Sequence, residues 1–183
     1  MTTHIMCDTE TLGTKPGAIV TSVALVRFAD EAHTTINLSV PDQQALALVS
    51  DPATEAWWMQ QDPVARTAAF ANPVPLRSAL QHISNWIEWA SPVASWTQGA
   101  NDTLIWCHGA GFDGPLLEAV YKAAGMPCPW HWASVRCTRT LYDLAGIDRR
   151  LYDVPPPHIA LNDAIAQTRA ANAALKVLAR AHQ

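Results

Sequence analysis

Basic residues are scarce in this chain: 12 Lys and Arg stand against 16 Asp and Glu, for a net charge of −4. That balance excludes a generic basic coat for nucleic acid. It leaves room for an enzyme that holds nucleic acid through bound cations, because an empty carboxylate cluster itself adds negative charge. CxxC pairs are absent as well. Cys7, Cys107, Cys128 and Cys137 are widely spaced, which favours four reduced thiols over a disulfide framework or a zinc site. His4, His33, His82, His108, His131 and His182 lack zinc-ligand spacing. No apolar run is long enough to span a membrane, and no secretory signal precedes the first strand. A cytoplasmic protein without a membrane partner is the expectation. Low-complexity tracts, internal repeats and linkers are missing too, so a single domain over 1–183 is expected.

What is present is apolar residue and tryptophan. Hydrophobic residues make up 49% of the chain, enough for a substantial core. Eight tryptophans are many for this length, which makes some of them candidates for a binding surface.

Periodicity organises the rest. Ile5 to Asp8, Ala18 to Phe28 and His33 to Val40 read as three strands of an antiparallel meander, with a turn at Gly13-Thr14-Lys15-Pro16-Gly17. Asp51-Pro52 and Asp62-Pro63 read as helix starts. Pro75 to Ala90 carries Leu76, Leu80, Ile83, Trp86 and Ile87 at helical spacing. Thr103 to Cys107 reads as a buried strand, Gly114 to Gly125 as a helix ended by glycine, and Ser134 to Arg136 as a fifth strand. Cys137 to Ala145 and Leu161 to His182 complete the helices. Strands first, then alternating helix and strand, predict an α/β fold: a mixed sheet packed by helices.

Asp8 and Glu10 are the most informative residues. They sit one residue apart at the end of the first strand, so both carboxylates project from one face. Like charges that close repel, and burial makes each more costly. A cation neutralising both is the simplest remedy, so the pair reads as half of a divalent-metal site. Asp113 follows His108-Gly109-Ala110-Gly111-Phe112 at a helix start, where glycines permit a tight turn. Phe112 can anchor that turn while Asp113 faces a cleft. Asp163 lies in the first turn of the last helix, where an Asp is also a common dipole partner.

The order Asp-x-Glu, Phe-Asp, His-x4-Asp resembles the three exonuclease motifs of the DEDDh superfamily. A narrower resemblance lies in Asp8-Thr9-Glu10-Thr11-Leu12-Gly13-Thr14, Trp57-Trp58-Met59-Gln60-Gln61 with Ala65-Arg66, Trp106, and Arg139-Thr140-Leu141. These look like a small bacterial and phage branch that is similar to exonuclease VIII and contains 3′–5′ exoribonucleases. The resemblance implies a ribonuclease H-like mixed five-stranded sheet, three strands antiparallel and then two parallel. It implies a two-metal 3′–5′ exonuclease that releases nucleoside 5′-monophosphates, with RNA favoured over DNA. Asp8, Glu10, Asp113 and Asp163 would hold two Mg²⁺ or Mn²⁺ ions, hard cations that prefer carboxylate oxygen. His158, after Pro155-Pro156-Pro157, would be the general base.

Substrate contacts are carried over in the same way. Thr11 and Leu12 would meet the 3′-terminal nucleotide, with Phe112 beside them and Arg139 forking onto phosphate. Trp57 and Trp58 lie about 100° apart on a helix, so one can pack inward while the other stacks on a base. The partner would be single-stranded or 3′-overhang nucleic acid, and the resemblance admits a homodimer. One departure stands out: many superfamily members have Asn where this chain has Gly109. A catalytically silent nucleic-acid-binding domain and a ribonuclease H-like endonuclease are the competing readings.

Overall fold

The computed structural model describes residues 2–91 and 103–181. Strands β1 (Thr3–Thr11), β2 (Val20–Arg27), β3 (His33–Asn37), β4 (Thr103–Cys107) and β5 (Val135–Cys137) form one sheet in the order β3-β2-β1-β4-β5. β1 pairs antiparallel with β2, and β2 with β3; β4 runs parallel to both β1 and β5. The expected three antiparallel and two parallel strands are therefore present.

Helices cover both faces. On one side α4 (Leu76–Ala90) turns Leu76, Leu80, Ile83 and Ile87 toward the sheet, and α5 (Asp113–Ala123) adds Leu116, Leu117 and Val120. Their partners on the strands are Ile5, Cys7, Val23, Leu25 and Ile105. On the other side α6 (Thr138–Ala145) and α7 (Ala160–Ala181) pack over Met6, Ala24, Val26 and Trp106. The buried stripe of α7 is largely alanine, including Ala164, Ala170, Ala171 and Ala174. Side chains that short let a helix backbone lie close to a sheet, which brings polar residues of α7 within reach of β1.

Three shorter helices fill the meander side: α1 (Val40–Ala45), α2 (Pro52–Trp58) and α3 (Pro63–Phe70). The Asp-Pro starts act as expected. Asp51 and Asp62 cap α2 and α3 by accepting from the backbone N–H of Ala53 and Val64, and proline occupies the first turn of each.

The boundaries move in places. β1 runs three residues past its expected end, because Thr9, Glu10 and Thr11 pair with Val23, Ser22 and Val20 through an irregularity at Glu10/Thr11. Val40 is not the end of β3; it opens α1, whose cap is Ser39. Helix α7 starts one residue earlier than expected, and His182, its expected end, lies outside the described residues.

Candidate active site

Side chains alternate along β1. Ile5 and Cys7 enter the core under α4 and α5, and Met6 enters the core under α6 and α7. Asp8 and Glu10 continue the Met6 face. Past the last turns of hydrophobic cover they border a cleft of about 740 Å³. Both are nonetheless buried, with exposures of 9% and 7%. The cleft opens at the carboxyl ends of β1 and β4, the usual ligand position in sheets with parallel strands.

Helix α7 brings the third carboxylate. One oxygen each from Asp8, Glu10 and Asp163 lie within 4.8 Å of one another. Burial, then the neighbouring acids, push the Asp8 carboxyl well above its ordinary value. Burial, then Asp163 and Asp113, raise Glu10 to about 8. Burial also raises Asp163, although the backbone N–H of His158, donating to Asp163 Oδ2 at 2.8 Å, opposes it.

Asp113 joins from the first turn of α5 and is restrained differently. Its Oδ1 accepts from the Thr9 N–H at 3.0 Å and from Thr9 Oγ1 at 2.8 Å. Burial lifts its carboxyl to about 6, with those hydrogen bonds and the Arg139 charge pulling the other way. Phe112 precedes it, half-buried against the α4/α5 core while still lining the cleft.

Gln167 was not identified from the sequence. It lies one turn after Asp163 on α7, a spacing that puts both on one helix face. Its Nε2 donates to Asp8 Oδ1 at 2.7 Å. Its Oε1 is buried and has no hydrogen-bond partner among the described residues. An orphaned acceptor beside clustered carboxylates suits the water shell of a hydrated cation. The donor set is all hard oxygen, which fits a divalent cation such as Mg²⁺ or Mn²⁺.

His158 borders the same cleft. Its φ is +62°, a left-handed conformation unusual outside glycine. Its ring meets Trp57 edge-to-face at 4.8 Å. Of the tryptophan pair, Trp58 packs inward: it is 3% exposed, and its indole N–H donates to the Thr11 carbonyl at 2.8 Å. Trp57 stays 39% exposed. Thr11 lines the cleft, with its hydroxyl donating to the Gly13 carbonyl at 2.7 Å. Leu12 departs from the expectation of a wedge beside a base. It packs in the α4/α5 core, because its backbone is tied to Ile19 and Asp51 and its side chain turns inward.

Gly109 has φ +111°. A Cβ built there would stand 3.6 Å from the guanidinium carbon of Arg139. Arg139, at the start of α6 after β5, thus packs over Gly109 and borders the cleft. His108, at the end of β4, bonds through Nδ1 to Thr138 Oγ1 at 3.0 Å. Burial, then the Arg139 charge, lower it to about 4, so it is neutral at ordinary pH. Thr14, Asp51 and Thr54 complete a polar rim that carried no sequence signal.

All five residues expected to do chemistry, Asp8, Glu10, Asp113, Asp163 and His158, therefore border one cleft. Solved structures with this arrangement of elements include nucleases. An exonuclease I structure with bound product superposes with a TM-score of 0.60 at 16% identity, over 98% of this chain and 44% of that one. Escherichia coli exonuclease I in complex with a dT13 oligonucleotide gives 0.58 at 15% identity, over 98% and 41%. This chain thus spans less than half the length of the exonuclease I chains. The nuclease domain of 3′hExo, a DEDDh family member bound to rAMP, gives 0.58 at 10% identity, over 95% and 92%. At such identities the likeness establishes the fold. No curated protein sequence matches the chain. The profile of the 3′-5′ exoribonuclease Rv2179c-like domain matches residues 3–175, and the chain belongs to that family of 3′–5′ exonucleases.

Proposed function

We propose that this chain, acting as one exonuclease domain, removes nucleoside 5′-monophosphates from the 3′ end of single-stranded or 3′-overhang RNA. The observation that carries the reading is the meeting of three buried carboxylates, the half-buried Asp163 and His158 in one open cleft. The name of the family and the rAMP bound to 3′hExo support RNA over DNA.

Asp8, Glu10, Asp113 and Asp163 would hold two divalent cations, Mg²⁺ or Mn²⁺. When bound, such ions supply Lewis acidity and a water of lowered pKa. His158 accepts the proton of the attacking water. The water oxygen bonds to phosphorus, the P–O3′ bond breaks, and the electron pair leaves with O3′ of the shortened strand. Gln167 holds the Asp8 carboxylate in place through its 2.7 Å hydrogen bond. Arg139 offers a planar fork to the phosphate oxygens. Thr11 and Phe112 line the pocket for the terminal nucleotide, and the exposed part of Trp57 offers a surface to its base.

The test uses 5′-labelled single-stranded and 3′-overhang RNA and DNA, with Mg²⁺, Mn²⁺ or chelator. The expected result is metal-dependent release of mononucleotides, faster from RNA. Cleavage of circular single strands would instead identify an endonuclease, and inertness toward every substrate would leave a silent binding domain.

A further inference from the structure

His158 has its backbone and its ring held by different parts of the molecule. The backbone is fixed from α7: its N–H donates to Asp163 Oδ2 at 2.8 Å, and Asn162 Nδ2 donates to the Pro156 carbonyl at 3.1 Å. The ring makes no hydrogen bond among the described residues; what it touches is Trp57, at 4.8 Å and an interplanar angle of 81°. Trp57 in turn stands edge-on to Trp58 at 5.2 Å and 76°. Trp58 is immobilised. It is buried, it packs on Phe70 at 5.7 Å, and its indole N–H holds the Thr11 carbonyl. Helix α2, which carries both tryptophans, is also tied to the residue that follows β1, because the Asp51 N–H donates to the Leu12 carbonyl and Asp51 caps the helix.

We propose that Trp57 is a positioning residue for His158. Through Trp58 it transmits the position of the carboxyl end of β1, where Asp8 and Glu10 stand, to the orientation of the imidazole ring. Burial alone does not require an indole at position 57, since 39% of it faces solvent. A ring that lacks a hydrogen-bond partner rotates about χ1 and χ2 unless something packs against it, and a proton acceptor works only within hydrogen-bond reach of its water. Edge-to-face is a preferred arrangement of ring pairs, so the Trp57 contact biases the imidazole toward one orientation. This inference rests on the exonuclease reading and names how its base is aimed.

The test is a double-mutant cycle on turnover with a separate structural readout. Trp57→Ala should lower kcat about 10- to 100-fold, the scale of a misplaced catalytic group, in addition to any rise in KM from the lost base-stacking surface. Trp57→Phe, which keeps an aromatic edge, should recover most of the loss. In a His158→Asn background, where the left-handed backbone is tolerated, Trp57→Ala should cause no further fall in kcat. Independently of activity, the His158 ring protons should carry a ring-current shift from Trp57 in the wild type. That shift should vanish in Trp57→Ala and persist in part in Trp57→Phe. Equal losses in both backgrounds would overturn the proposal. So would a rise in KM at constant kcat, which would make Trp57 a base-stacking surface only. Should Trp57→Ala not fold, the kcat and ring shifts of Trp57→Phe and Trp57→Leu decide: Leu should lose both, and retention of both with Leu would overturn it. If the wild type proves inactive, the exonuclease reading fails, while the ring shifts still show whether Trp57 orients the imidazole.

Discussion

On one face of β1, Ile5 and Cys7 are fully buried against α4 and α5; on the other, Met6 gives way to Asp8 and Glu10. The two faces belong to the same nine residues and differ only in parity. At Ile5 and Cys7 the odd face closes an apolar core, and beyond them Thr9 restrains Asp113. The even face begins in a core and ends among carboxylates that repel one another. Stability and chemistry are thus carried by alternate residues of a single strand, and substitutions can separate them.

The sharpest separation is Asp8→Asn. It should abolish metal-dependent cleavage while raising the metal-free melting temperature, because a repelling carboxylate is removed and the bond from Gln167 retained. Undiminished cleavage with Mg²⁺ would dissolve the contrast between the faces. His158→Ala should lower turnover by about 10²–10⁴ yet leave the stabilisation by added Mg²⁺ or Mn²⁺ intact, as followed by thermal melting. Ile5→Ala is the converse. It should destabilise the fold by about 2–5 kcal/mol, read from denaturant curves, with kcat per folded molecule near the wild-type value.

The pH dependence probes the carboxylate cluster. Glu10 is ordinarily near 4.5 and rises to about 8 in the fold; Asp113 rises from 3.8 to about 6. Between those values the folded state binds more protons than the unfolded chain, so stability falls as pH rises. With respect to these groups the metal-free protein should therefore be most stable below about pH 4 and should lose stability from there up to about pH 8. Saturating Mg²⁺ should flatten that slope, since it takes the place of the protons. A melting temperature that rises with pH from 5 to 8 without metal would contradict the repulsion. The smallest effect is expected at Arg139, away from both faces. Arg139→Ala should raise KM several-fold and reduce the salt dependence of binding by about one phosphate contact. Arg139→Lys should recover only part, because the fork is lost.

Elements whose signal is local were legible. The Asp-Pro helix starts, the apolar stripe of α4 and the strand Thr103–Cys107 stand as their periodicity and caps indicated. Val40 was misread because a β-branched residue after a strand carries no local sign that Ser39 will cap a helix. Motif order singled out four acids that border one cleft, and their role there is a proposal. Leu12 was not, because which side of the irregularity at the end of β1 its side chain takes depends on the pairing of Thr11 with Val20. Gln167 could have been found one turn from Asp163, but a polar residue at that spacing is indistinguishable from a solvated one until α7 is laid on the sheet.

The sequence by itself determined that Asp8 and Glu10 share a face, since the two-residue period of a strand is fixed by backbone geometry. It determined the helix starts and the alternation that yields a mixed sheet. Only the tertiary structure decided what those carboxylates face. The alanine stripe of α7 brings Asp163 and Gln167 against β1, the tight turn after β4 delivers Asp113 to Thr9, and α2 sets Trp57 on the ring of His158. Each of these contacts joins residues roughly 100 or more positions apart along the chain, and no local propensity encodes them; they exist because burying the apolar faces of the helices leaves one arrangement in which the polar ends of the strands meet.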